Sequence, residues 1–178
     1  GSVTFEVTPH HLLLSTEDFG PGRVPKVNPP LRSPADRDAL RDALLAGTVD
    51  MIATDHAPHT PADKEAGASG LVGLETALGL VLTHLVGEGM LSVKDAVRLM
   101  SAAPARVFGV PGGTLRPGSI ADMVLIDPGA EWTVEPGGFR SKSRNTAFAG
   151  WRLRGRPVAT FVDGRPVYAA PDLAAREE

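Results

Sequence analysis

The helical spacing of apolar residues stops at Pro111, and a different kind of sequence follows. Up to Val110 the chain reads as strand, long loop, helix, strand, loop, helix, helix, which is the order of parallel βα units. Beyond it, Gly112-Gly113, Arg116-Pro117-Gly118, Pro128-Gly129, Pro136-Gly137-Gly138 and Asp163-Gly164 punctuate short β-rich runs. The break predicts an α/β chain in two parts: βα units over residues 1–110 and a small β-sheet unit over residues 111–178.

Within the first part, Val3 to Val7 is β-branched and alternating, a strand stopped by Thr8-Pro9, so that His10 and His11 fall just past a strand end. Ser15 to Leu31 is rich in Gly and Pro, and a loop of that length usually carries function. Ser33 caps a helix with Pro34 in its first position; Ala39, Leu40, Ala43 and Leu44 share one face before Gly47 ends it. Val49 to Ala53 is a second strand. Leu74 to Val86, apolar on nearly all sides, predicts a helix packed between layers. Ser92 with Asp95 resembles a capping box, Val93, Val97 and Met100 form the stripe of the next helix, and Pro104 marks its end. In the second part, Asp122 to Ile126, Val158 to Val162 and Pro166 to Tyr168 read as strands, the last two joined by a hairpin turn at Asp163-Gly164. Leu173 to Glu178 is polar enough to fray.

Composition narrows the chemistry. The 178 residues, 42% apolar, suffice for one domain or two small ones. A formal charge of −3 without a basic run argues against nucleic acid as a partner. With no Cys there is no disulfide framework, thiolate metal site or cysteine nucleophile. Apolar stretches such as Leu78–Leu82 fall far short of the roughly 20 residues of a membrane span. No secretory signal opens the sequence, and a cytoplasmic location is the expectation.

Thr54-Asp55-His56-Ala57-Pro58-His59 follows the second strand directly, and the C-terminal ends of strands in a parallel βα barrel are where catalytic groups sit. A carboxylate there can ligate a divalent metal through one oxygen and take a proton through the other, and His59 can face an anionic substrate. The alternative is a solvated loop in which Asp55 caps a turn. His10 and His11, adjacent at a strand end, point to opposite faces and make a poor shared metal site, which suggests one packed and one exposed histidine. His84 is a core or boundary residue. Asn28 lies in backbone stiffened by Pro29 and Pro30, which would hold its amide ready for a polar ligand.

Together, Glu6-Val7-Thr8-Pro9-His10-His11-Leu12, Lys26-Val27-Asn28-Pro29-Pro30-Leu31-Arg32, Ala53-Thr54-Asp55-His56-Ala57-Pro58-His59 and Gly73-Leu74-Glu75-Thr76-Ala77 resemble dihydroorotase of the bacterial, longer-chain type. Arg116 to Val124 resembles the β-domain motif of amidohydrolases, and Ser141-Lys142-Ser143-Arg144-Asn145-Thr146 its dihydroorotase version. The resemblance implies the C-terminal part of a (β/α)8 TIM-type barrel, residues 1–110, followed by a β-sandwich tail, residues 111–178. It further implies interconversion of N-carbamoyl-L-aspartate and L-dihydroorotate with one or two Zn²⁺ ions, Asp55 as zinc ligand and general base, and Asn28 and His59 as substrate contacts. A main-chain contact falls at Ser69-Gly70, where the family often has Pro-Phe-Gly and this chain reads Ala68-Ser69-Gly70. The family's H-x-H, its fourth-strand ligand and the histidines of its fifth and sixth strands have no counterpart here. The chain alone is therefore expected to be inactive, a fragment or one piece completed by another polypeptide. Gly1-Ser2 fits either a cloning scar or a native start. A homodimer is the implied assembly. Two alternatives stand beside this reading: a hydantoinase or allantoinase relative, and a non-catalytic dihydroorotase-like partner of aspartate transcarbamoylase.

Overall fold

The computed structural model of the chain describes residues 3–171. Gly1-Ser2 and the polar end from Leu173 lie outside the described residues.

Two short parallel strands, β1 (Glu6–Val7) and β2 (Met51–Ile52), pair in the register Glu6↔Met51 and Val7↔Ile52. Both are shorter than their β-branched runs predict, because regular pairing ends where the partner ends; Val3 is 92% exposed. The parallel ladder has a functional consequence: both strands run out on the same side, delivering Thr8 and Thr54-Asp55 to one edge.

Thr8 does more than stop β1. Its side chain accepts from the His11 backbone N–H and Pro9 takes the first helical position, so the chain turns at once into α1 (Pro9–Leu13). His10 and His11 are thus helical neighbours with ring centroids 4.4 Å apart, not side chains on opposite faces of a strand. His10 is packed, as one of the pair was expected to be, but His11 is half-buried rather than exposed.

The loop that follows is irregular apart from a 3₁₀ turn at Thr16–Asp18. The Ser33 capping box with Asp36 then starts α2 (Pro34–Leu45), and Gly47, with φ of 73°, turns the chain away from its end. After β2, a stretch read as polar loop forms α3 (Pro61–Glu65), capped reciprocally by Thr60 and Asp63. The apolar helix begins at Ala77 rather than Leu74, running as α4 (Ala77–Leu80) into a π-helical segment, Val81–Val86. It lies between layers as its all-round hydrophobicity predicts. Val81 and Leu85 join a core with Val7, Leu12, Ile52 and Leu99, while Leu80 joins a second core with Val27, Leu71, Val134, Phe148 and Leu153. That second core draws residues from both sides of Pro111.

Ser92 and Asp95 cap α5 (Val93–Val97) as expected, but Pro104 does not end the helix. The chain continues through a π segment, Arg98–Ala102, into α6 (Ala103–Phe108), with Pro104 in its first turn. The widened π turn lies immediately ahead of the residue that lacks an N–H, where an ordinary helical bond would be lost. Gly109, at φ of 64°, is the actual stop.

The remaining strands, β3 (Met123–Thr133), β4 (Arg152–Val162) and β5 (Arg165–Ala169), form one antiparallel sheet in the order β3-β4-β5. Asp163 and Gly164, both at positive φ, make the expected hairpin turn. The second layer that a sandwich needs is not among the described residues. α4 docks closely on this sheet: a Cβ on Gly79 would come within 2.9 Å of Trp132 Cζ2, so only glycine lets the helix approach. No described helix is long and apolar enough to cross a membrane.

Candidate active site

Asp55 leaves the end of β2 at φ of 48°, a left-handed conformation that Asp tolerates better than most residues, and it is exposed. The chain then runs back along a third segment. His56 and Leu71 form a parallel bridge, and the Ala57 N–H donates to the Leu71 carbonyl at 2.8 Å. His56 faces inward to the scaffold, its Nδ1 accepting from the backbone N–H groups of Gly73 (3.1 Å) and Leu74 (3.4 Å).

Beside it, Glu75 accepts from the Ser141 N–H at 2.8 Å, tying the first part of the chain to the tail. Burial pushes this carboxyl up, but the hydrogen bonds from Ser141 and from its own backbone, with the charge of His56, outweigh burial and hold it below the usual carboxylate range.

His59 donates from Nε2 to the Ser69 carbonyl at 2.9 Å; a carbonyl only accepts, so the proton is on Nε2 and Nδ1 is left for another partner. Gly70 is buried at φ of 128°, and a Cβ there would lie 2.5 Å from Ala57 Cβ. Its N–H donates to the Lys26 carbonyl at 2.8 Å, two residues before Asn28. Asn28 is exposed, and its peptide bond to Pro29 is cis. The Pro29 carbonyl accepts from His11 Nε2 at 2.9 Å, while His11 Nδ1 accepts from the Thr8 hydroxyl at 2.7 Å. His11 is thus a structural tie between α1 and the Asn28 loop.

The structure therefore brings His59, Ser69, Gly70 and the Asn28 loop into one hydrogen-bonded unit, with Asp55 joined to it through Ala57 and Leu71. Two further residues complete it: Lys64, outside every quoted motif, and Asn145, which lies in the Ser141-to-Thr146 run without a role assigned to it there. Lys64 donates to the carbonyls of Ala68 (2.6 Å), Gly70 (3.0 Å) and Lys26 (3.3 Å). Burial, then the charge of Lys26, lowers its pKa. Asn145 donates from Nδ2 to the Gly70 carbonyl at 2.7 Å, and its own carbonyl accepts from the Val72 N–H at 2.9 Å.

A catalytic zinc normally has three protein ligands plus water. Among the described residues no group of three or more His, Asp or Glu side chains could hold a metal ion. His10 is buried and pushed down to about 3 by that burial and by His11, and the ring nitrogens of His11 are both bonded. Asp55 suits a single ligand position; the described residues alone do not make the site. A separate groove of about 340 Å³ between the Val81–Val86 segment and β4 is lined by Thr83, Glu88, Glu131, Arg152 and Arg154 and shares no residue with this unit.

The model of the amidohydrolase family matches residues 23–167, and the chain belongs to that family. A dihydroorotase from a Geobacillus species is 52% identical over 171 residues, taking in 93% of this chain and 40% of the relative. The sequence motifs and this relative point the same way. L-hydantoinase (dihydropyrimidinase) from Arthrobacter aurescens superposes with a TM-score of 0.85 at 36% identity, over 92% of this chain and 39% of that one. The inactive dihydroorotase-like domain of the Chaetomium thermophilum CAD-like multifunctional protein shares the fold, with a TM-score of 0.68 at 23% identity over 93% of this chain and 44% of that one. The chain spans about 40% of the length of the curated relatives it matches.

Proposed function

We propose that this chain supplies the C-terminal βα units, residues 1–110, and, in residues 111–178, one sheet of the β-sandwich tail of a TIM-type cyclic amidohydrolase that interconverts L-dihydroorotate and N-carbamoyl-L-aspartate in pyrimidine biosynthesis. The observation that carries the reading is the single hydrogen-bonded unit in which His59, Ser69, Gly70 and the Asn28 loop meet beside the strand-end Asp55. The 52% identity to a dihydroorotase supports it.

Asp55 serves as base and then acid. In the hydrolytic direction a water oxygen bonds to the ring carbonyl carbon as Asp55 takes its proton, and the same proton passes to the ring nitrogen when the C–N bond breaks. Asn28, the Nδ1 edge of His59 and the main chain at Ser69-Gly70 hold the substrate's polar and anionic groups. Zinc, one or two ions, is the implied cofactor; it would polarise the carbonyl and lower the pKa of bound water. Asp55 is one ligand, the others come from outside these residues, and the chain alone is inactive. On this reading the enzyme works in the cytoplasm as a homodimer.

A hydantoinase reading is favoured by one observation, the superposition on L-hydantoinase at 36% identity. Assaying the full-length protein on dihydroorotate, hydantoin and allantoin decides between them: preference for dihydroorotate is expected, and preference for either of the others overturns the substrate assignment. A non-catalytic partner of aspartate transcarbamoylase would turn over none of the three.

A further inference from the structure

The three protons of an ammonium group match the three carbonyls around Lys64 Nζ, those of Ala68, Gly70 and Lys26 at 2.6, 3.0 and 3.3 Å. No donor is left over for a ligand. Two of the carbonyls belong to the edge Ala68–Gly70, and the third lies two residues ahead of Asn28, thirty-eight positions away from Lys64. The Lys26 carbonyl also accepts from the Gly70 N–H at 2.8 Å, so both segments are tied at one point.

Carbonyl oxygens that converge this closely repel one another unless a donor group sits among them, and an ammonium meets all three from a single atom. The helix makes this possible: the Thr60–Asp63 capping box sets the short α3, placing Lys64 in its last turn over the returning chain. Lys26 contributes a second ammonium in this region, within 3.0 Å of where a Cβ on Gly67 would be, but its backbone oxygen rather than its charge makes the tie.

We propose that Lys64 is a positioning residue that locks the Asn28 loop to the Ser69–Gly70 edge, setting the spacing at which the two grip a cyclic amide substrate. The proposal rests on the reading of Asn28 and Ser69-Gly70 as substrate contacts. Lys64 acts through the carbonyls and touches neither Asp55 nor the reacting atoms, so its removal shows in KM and leaves kcat nearly intact.

The test uses K64M and K64A in the full-length protein, assayed on dihydroorotate with hydantoin in parallel, while amide exchange is followed in peptides covering residues 26–28 and 68–72. KM is expected to rise roughly tenfold or more, with kcat within about threefold of wild type and exchange in both peptides faster by roughly tenfold. Added n-propylammonium should restore K64A, whereas tetramethylammonium, which carries the charge without N–H donors, should not. KM and exchange within about twofold of wild type would overturn the proposal, as would equal rescue by both cations. A wild type that hydrolyses neither amide refutes the substrate reading, and the exchange and rescue measurements then decide the tie by themselves. Should K64M lose its fold, the contrast between the two cations on K64A decides it.

Discussion

Asn145 and Gly70, seventy-five residues apart, are joined by a hydrogen bond of 2.7 Å from the Asn145 side-chain amide to the Gly70 carbonyl. The Asn145 carbonyl accepts from Val72 on the same segment, so one residue of the tail grips the edge of the candidate site twice. The β-rich tail is thus part of the site's construction and not an appendage to it.

Asn145→Ala keeps the backbone half of that grip and deletes the side-chain half. Loss of a part-buried neutral hydrogen bond costs about 0.5–1.5 kcal/mol, and the Gly70 carbonyl is left with Lys64 as its donor. We expect a stability loss of that size by denaturant titration of the full-length protein, together with a raised KM. Unchanged stability and KM would show that the tail does not hold this edge.

His10 governs a distinct pH dependence. Its folded pKa of about 3 lies below the ordinary 6.5 because the ring is buried, with the adjacent His11 adding to the effect. The folded state keeps His10 neutral while the unfolded chain protonates below pH 6.5, so this site's contribution is complete above 6.5 and declines as pH falls toward 3, by at most about 1.4 kcal/mol per unit. His10→Gln removes the titration, and its stability should fall less steeply than wild type between pH 6.5 and 5. Parallel curves would mean that His10 is not kept neutral.

What was legible in the sequence was what local chemistry decides. Ser33 with Asp36 and Ser92 with Asp95 are three residues apart, so their reciprocal bonds need no distant partner, and the turn at Asp163-Gly164 follows from the residues that tolerate positive φ. Thr8-Pro9 reads as a strand stop, although Thr as cap with Pro in the first position equally starts a helix. Thr60-Pro61 carried the same signal for α3. Asp55 and His59 were visible because they follow a strand end. Lys64 lies in no motif, and Asn145, though within the Ser141-to-Thr146 run, shows no local sign of its role, since their partners at Lys26 and Gly70 are brought near only by the tertiary fold.

His59→Ala and Asn28→Ala should weaken substrate binding without altering metal content. On the proposed reading each removes a hydrogen bond to a charged group of the substrate, about 1.5–3 kcal/mol, seen as a raised KM. For His59 a smaller second effect follows from releasing the Ser69 carbonyl, bonded at 2.9 Å. Zinc loss in His59→Ala, measured by elemental analysis, would reassign that residue as a ligand.

The central claim is that Asp55, at the end of β2, moves the proton in cyclic amide hydrolysis. Turnover of dihydroorotate by the full-length protein, wild type against Asp55→Asn, tests it most directly, because the amide keeps the shape of the side chain but cannot accept the proton. The account predicts a measurable wild-type rate and a fall of about 10²–10⁴ in kcat with the fold intact by circular dichroism, larger if metal is also lost. A variant within about tenfold of wild type would contradict it.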